Sequence, residues 1–576
     1  MTHIIRSVVL PILAFSFMIE SLHAGSATWN SNPTNGDWNT AANWTPATVP
    51  DGPNDTATFA TSAQTAVSLS QGVSVSAIEF SSGASAYTIS YINTLIFEGG
   101  GIVNNSGTVQ NIVPFSDGIN APLTFFYNSS SAGNSTVFTN SGSLNFNDTS
   151  TAGSATIISK GTSNAASGGS TNFFGLSSAG DGIFLVGGAE ASGGNGGTLV
   201  FNDSSNAGNG TFTVGGNIVS NGGSGILSFN GNSSALNGNF TVNGNQFGGG
   251  SPAFVVFFGS STSPAASITI NGGTASGALG GLAEFGDTAS AGNATIVANG
   301  GSGGGLGGVI EFFGNATGGT SQMSVFGNGN LDISIHNVPG VTIGSIEGNG
   351  QAFLGGINLT VGSNNQSKTF SGVIQDGGII GGTGGSLTKI GSGKLTLSNA
   401  NTYTGGTIVK TGTLLVANKT GSATGTGSVQ VKSGTLGGIG IVAGSVTLGT
   451  GSSSGAVILP GKNASSPGAL TINSALTFNS LSTYKCALNR TTPVASEIVA
   501  LGVTINSNAS FTFLDRGGAT LTTGTVLTVI NNNSASPIFG TFSNLADGSV
   551  FGSHGNNFQA NYEGGDGNDL TLTVVP

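Results

Sequence analysis

A phenylalanine returns seven times between Phe146 and Phe312, at intervals of 27 to 28 residues. The positions are Phe146, Phe173 or Phe174, Phe201, Phe229, Phe257, Phe285 and Phe312. Most are followed by a small turn such as "AGSATI", "AGNGTF" or "AGNATI", then a short β-branched run and glycines. A fixed period of this length marks stacked repeats, in which each unit buries a face that its neighbours complete. It predicts an all-β chain, wound as a right-handed parallel β-helix or solenoid of ~28-residue and related repeats with terminal caps. One coil per repeat would set equivalent phenylalanines about 4.8 Å apart along the axis, a spacing that suits offset ring stacks in the core. The turn residues Asp181, Asn209, Asn239 and Asn293 are expected to lie above one another, their side chains bonding from coil to coil.

Composition decides between a solenoid and a disordered chain. Of 576 residues 101 are glycine and only 6% are charged, which alone would suggest disorder. The 37% apolar residues are periodic, however: Phe, Val, Ile, Leu and Thr form short runs bounded by Gly, Asn and Ser, the strand-and-turn signal. Helical spacing of apolar residues appears nowhere beyond the amino terminus. There, the positive "MTHIIR", the apolar "SVVLPILAFSFMI" and the small-residue end of "ESLHA" read as a secretory signal peptide over residues 1–24. The apolar run is shorter than the roughly 20 residues a spanning helix needs, so no transmembrane segment is expected after signal removal.

Charge and cysteine content exclude several partners. The chain carries a net charge of −11, and between Gly25 and Gln366 its only Lys or Arg is Lys160. Such a surface cannot neutralise phosphates, which excludes nucleic acid and anionic headgroups as partners. Lys389, Lys394, Lys410, Lys419 and Lys432 are read as solvated, outward-facing strand residues. The single cysteine, Cys486, has no disulfide partner and reads as a small buried hydrophobe. Trp29, Trp38 and Trp44 cluster at the start of the mature chain, where a solenoid needs a cap over its open end. The functional alternative for these rings is an aromatic sugar-binding platform.

A change of texture after residue 337 carries a recognisable motif. "LTKIGSGKLTLSNANTYTGGTIVKTGTLLV", Leu387 to Val416, has a Lys-x-Gly-x-Gly entry at Lys389, Gly391 and Gly393, and a strand holding Leu395 and Leu397. A turn at Asn401, Thr402, Tyr403 and Gly405 follows, then strands with Thr407 and Val409, and with Gly412 and Leu414. This resembles the autotransporter-associated β-strand repeat, and the "AGNATI" array resembles repeats that accompany it. The resemblance implies a passenger-like exported bacterial β-solenoid, displayed at the surface of a Gram-negative-type cell or released from it, with the periplasm as the alternative. The sequence identifies no partner; surface glycans or cell-envelope components are the candidates. Residues 437–576 depart from the family pattern: their strands are broken by Gly and Asn, and the sequence given stops at Pro576 without an autotransporter barrel. The expected organisation is a signal peptide (1–24), an N-terminal cap with first β-coils (25–120) and the 28-residue repeat solenoid (121–337). The autotransporter-associated repeat region (338–436) and a C-terminal β-rich region (437–576) follow.

Chemistry-bearing motifs are few. The Gly-x-Ser-x-Gly match at Gly451 to Gly455 is expected by chance in so Gly- and Ser-rich a chain. His336 and His554 are the only histidines after the signal, with no nucleophile or carboxylate at catalytic spacing. Asp203, Glu284, Asp287 and Glu311 read as scattered acids. "GGDGNDLTL", Gly564 to Leu572, imitates one calcium nonapeptide but reads as a turn into a final strand. No catalytic, cofactor-binding or metal-binding residues are expected. The predicted role is an exported, non-catalytic structural or adhesive scaffold. A carbohydrate-binding adhesin using the tryptophans is the alternative, and a polysaccharide-degrading β-helix enzyme the third reading.

Overall fold

The computed structural model describes residues 25–452 and 455–576. The expected signal peptide lies outside the described residues. Within them the backbone is strand and turn, and the single helical element is the 3-10 turn Ala41–Asn43. Each 28-residue repeat supplies two four-residue strands. One set, exemplified by Thr198–Phe201, Ile226–Phe229 and Phe254–Phe257, stacks parallel with Phe201, Phe229 and Phe257 in register. The other, exemplified by Thr211–Val214, Asn239–Val242 and Ser267–Ile270, stacks parallel in a second sheet. Single bridges Ser178↔Asn206↔Ser234↔Thr262 hold a third edge. From Val341–Ile343 to Val503–Ile505 that role passes to a third sheet of eight parallel strands. This is a parallel β-solenoid.

Period-two alternation explains the core. In Thr198–Phe201 the Leu199 and Phe201 side chains point inward and are fully buried. The phenylalanine column runs Phe126, Phe146, Phe173, Phe201, Phe229, Phe257, Phe285 and Phe312, with centroids 4.6–4.9 Å apart and ring planes within 11°. Phe173, not Phe174, takes the stacked place. A second column, Phe184, Phe212 and Phe240, stacks at 4.9 and 4.6 Å and meets the first edge-on at 5.8–6.0 Å. That column needs Gly238 before its strand, because a Cβ there would lie 2.6 Å from the Phe240 ring.

The turn ladder exists in a corrected register. Asn209 Nδ2 donates to Asp181 Oδ1 at 3.0 Å, and Asn237 Nδ2, rather than Asn239, donates to Asn209 Oδ1 at 3.1 Å. Asn239 opens the strand Asn239–Val242, opposite Thr211. The ladder breaks at the equivalent Ala265, so Asn293 instead accepts a hydrogen bond from Thr320 Oγ1.

Both ends are closed by aromatic packing. Trp29, Trp38 and Trp44 are at most 1% exposed, meet edge-on at 5.0 Å and pack on Phe59. At the other end parallel stacking gives way to antiparallel pairing of Val526–Asn532, Asp569–Val575 and Asn556–Gly564. There the Arg490 guanidinium holds the Asp515 carboxylate bidentately, with both side chains at most 2% exposed.

Candidate functional site

The sequence-predicted acids fall into two groups. Asp203 and Asp287 sit at left-handed corners and accept backbone N–H bonds from Gly175 and Gly259 of the preceding coil, at 2.9 and 3.0 Å. They staple turns. Glu284 and Glu311 are not scattered: cross-strand register sets Glu284 beside Glu311, and Glu311 beside Asp332. The row faces outward, opposite the buried Phe285 and Phe312, yet Glu311 and Asp332 are 6% and 3% exposed. Asp332 is held by N–H bonds from Ser334 at 2.8 Å and Ile379 at 3.0 Å, so the segment around Ile379 folds over the row. Burial, and then the neighbouring Glu284 and Asp332 charges, push the Glu311 carboxyl up to about 7.

The histidines make contacts that their sequence neighbourhoods did not disclose. His554 Nδ1 lies 3.5 Å from Asp515 Oδ2 and 3.3 Å from Ser553 Oγ. A nucleophile–base–acid relay uses opposite ring nitrogens; here both partners meet the same nitrogen. The Asp515 carboxylate is committed to Arg490, which holds it far below the usual carboxylate range. His336 presents Nε2 to the Ala316 carbonyl at 2.7 Å and Nδ1 to the Asn337 carbonyl at 2.5 Å. Cys486 is fully buried, and that burial pushes its thiol up to about 12. "GGDGNDLTL" forms the turn between the last two strands, with Asp569 Oδ1 accepting the Asn532 N–H at 2.8 Å. The Gly451 to Gly455 match falls partly outside the described residues. Among the described residues no three acids, histidines or cysteines are grouped to hold a metal ion.

The repeat at 387–416 explains its own sequence. Leu387, Leu397, Tyr403, Val409, Leu414 and Val416 are all fully buried. Asn401 joins three coils: its Oδ1 accepts the Ile374 N–H of the coil before at 2.7 Å. Its Nδ2 donates to the Ala423 carbonyl of the coil after at 2.5 Å. Lys394, Lys410 and Lys419 are exposed and Lys432 half-buried. The outward reading of Lys389 is wrong, because it is 1% exposed and stands in register with the buried Val361 and Val409. Strand alternation forces its stem inward, and the ammonium reaches the Ile390 and Gly391 carbonyls at 2.5 and 3.2 Å. Burial pulls its pKa down to about 8.

Several outer surfaces have room for a ligand, and two of them have a distinctive lining. A shallow groove of about 500 Å³ has a glycine floor, Gly216, Gly244 and Gly272. The amides of Asn243, Asn271 and Asn299 are linked along it by 3.0 Å bonds. The carboxylate row opens into a cleft of about 410 Å³. The tryptophans cannot form a sugar platform, since their faces are buried in the cap.

Comparison with known proteins agrees with this repeat chemistry. Residues 387–416 match the family model of the passenger-associated-transport-repeat. No curated protein matches the chain. The match marks an autotransporter-passenger-type repeat and implies an exported protein. Among the described residues no helix is long and apolar enough to cross a membrane.

Proposed function

We propose that this chain is an exported, non-catalytic scaffold of a bacterial surface or extracellular space, structural or adhesive in role. The single observation that carries the reading is the passenger-type repeat at 387–416, set in one continuous stack of coils. A stack of this kind holds outer side chains at a fixed interval, which suits an extended, repeating partner such as a surface glycan or cell-envelope polymer. The glycine-floored groove with its asparagine ladder is the face that would meet it. Amides there present both donors and acceptors, as hydroxylated polymers require. Catalysis on such a polymer would need a paired acid and base with access to a glycosidic bond.

The test is fractionation of the producing cell with protease treatment of intact cells. Recovery in the protease-accessible or culture fraction is expected, whereas periplasmic recovery would reassign the compartment and cytoplasmic retention would sink the reading. Incubation with polysaccharides should release no reducing ends or unsaturated products. Turnover abolished by Glu311→Gln would replace the scaffold with an enzyme.

A further inference from the structure

One strap on the surface of the stack is fastened at a single point. Residues 377–383 lie between the strands Val373–Gln375 and Ser386–Lys389. The base of the strap is pinned by Asp376, whose Oδ1 accepts the Gly385 N–H at 3.0 Å and whose Oδ2 accepts the Thr404 hydroxyl at 2.6 Å. Beyond that base, its one hydrogen bond to the rest of the described residues runs from the Ile379 N–H to Asp332 Oδ2 at 3.0 Å. The bonds from Gly377 to Gly382 and from Gly381 to Gly378 close the strap on itself. Ile379 and Ile380 are 61% and 68% exposed, so little apolar burial holds the tip down. A segment with so few buried contacts opens at far lower cost than the core strands.

The strap covers a carboxyl with nothing to complete it. Glu311 is 6% exposed and lines one cleft with Gly378 and Ile379. Cross-strand register sets Glu284 on the rung before it and Asp332 on the rung after it, about 4.8 Å away on each side. Both Asp332 oxygens are already engaged, Oδ2 by Ile379 and Oδ1 by the Ser334 N–H at 2.8 Å. Glu311 itself has no hydrogen-bond or ion-pair partner among the described residues. No cation turns toward it: both His336 nitrogens meet the Ala316 and Asn337 carbonyls, and Lys368 is paired with Glu347. The strap contributes one titratable group, Asp376, which is committed at the base. A negative charge on Glu311 would therefore be buried between like charges, without a donor.

We propose that the strap is a pH-operated latch, closed over Glu311 while that carboxyl is protonated and lifted off Asp332 when it ionises. Hydrating the new charge moves Gly378 and Ile379 aside and widens the cleft over Leu282, Val309 and Phe353. Burial, and then the Glu284 and Asp332 charges, push Glu311 up to about 7, against an ordinary glutamate value of about 4.3. The closed strap thus holds the proton more tightly than the open one. Its stability is fully present below about pH 4.3 and is lost as the pH climbs toward about 7. The latch does not depend on the scaffold reading.

The experiment is peptide-resolved hydrogen exchange of the full chain between about pH 5 and pH 8, expressed as protection factors so that the intrinsic pH dependence of exchange divides out. Protection across 377–383 should fall about tenfold or more, since the opening equilibrium gains a factor of ten for each pH unit over which only the closed form holds the proton. Protection of Thr198–Phe201 should stay constant, in the parent and in each variant, which reports that the stack is intact. Glu311→Gln should keep its low-pH strap protection throughout. Glu284→Gln retains Glu311 but removes a neighbouring charge, so there the fall should shrink; it reads the same carboxyl should Glu311→Gln misfold. Strap protection that does not change with pH, an equal fall in Glu311→Gln, or an undiminished fall in Glu284→Gln would each overturn the proposal.

Discussion

Replacing Phe229 with alanine removes a ring held on three sides. Phe229 is fully buried, stacks at 4.7 Å on both Phe201 and Phe257, and meets Phe240 edge-on at 5.8 Å. A buried Phe→Ala change costs about 3–5 kcal/mol. The neighbouring rings are rigidly spaced by strand register and cannot collapse into the gap, which places the cost near 4 kcal/mol or above. In a one-dimensional array the loss falls on the coils that share the ring. Amides of Thr198–Phe201, Ile226–Phe229 and Phe254–Phe257 should then open about 1,000-fold more often, at tenfold per 1.4 kcal/mol. Peptide-resolved hydrogen exchange reads this directly. Ile226→Ala is the control, because Ile226 lies on the same strand but is 36% exposed. Acceleration below about tenfold in Phe229→Ala, or equal acceleration in both variants, would refute the argument that the rings share one cooperative core.

Three further outcomes follow from buried charge and aromatic caps. Arg490→Met should destabilise the carboxy-terminal end by about 3–5 kcal/mol at neutral pH, because Asp515 is left charged and unpaired. Asp515 has its folded-state pKa depressed, so the contribution of the pair is present above about pH 3.9 and lost as pH falls through the folded value. Equal destabilisation of Arg490→Met at pH 7 and pH 3 in urea melts would contradict this. Lys389 has its folded pKa lowered to about 8 against an ordinary lysine value of about 10.4. The unfolded chain binds its proton more tightly, so local stability around 387–416 should rise with pH across that window, and Lys389→Met should flatten the rise. An unchanged pH slope of exchange protection in that variant would argue against a buried ammonium. Finally, Trp29, Trp38 and Trp44 should be poorly quenched by acrylamide and unmoved by added glycans, and Trp38→Ala should cost about 3–5 kcal/mol at the amino-terminal end. A glycan-dependent emission shift would restore the sugar-platform reading.

The fold was legible because its strongest signal is one-dimensional. A phenylalanine every 27 to 28 residues states the coil length, and alternation of Thr-Leu-Val-Phe type states which side chains enter the core. Features that depend on a change of coil length were not legible. Glu284 and Glu311 are 27 residues apart but Glu311 and Asp332 only 21, so no single period aligns the acidic row. The Asn237 rung was missed because the turn "LNGN" offers two asparagines, and only position in the ladder separates Asn237 from Asn239. Lys389 was misplaced because charge was weighed above alternation. In the strand Ser386–Lys389 the buried Leu387 already dictated that Lys389 points inward.

The parallel stacking has a mechanical side. Backbone hydrogen bonds between coils run along the axis, so tension applied end to end pulls on them directly, a few at a time, like the teeth of a zip. Releasing one 28-residue coil would free roughly 90 Å of extended chain in exchange for about 4.8 Å of rod. A molecule tethered at one end and loaded at the other would therefore lengthen in discrete, near-equal steps, each dissipating work, while the coils behind the break kept their order.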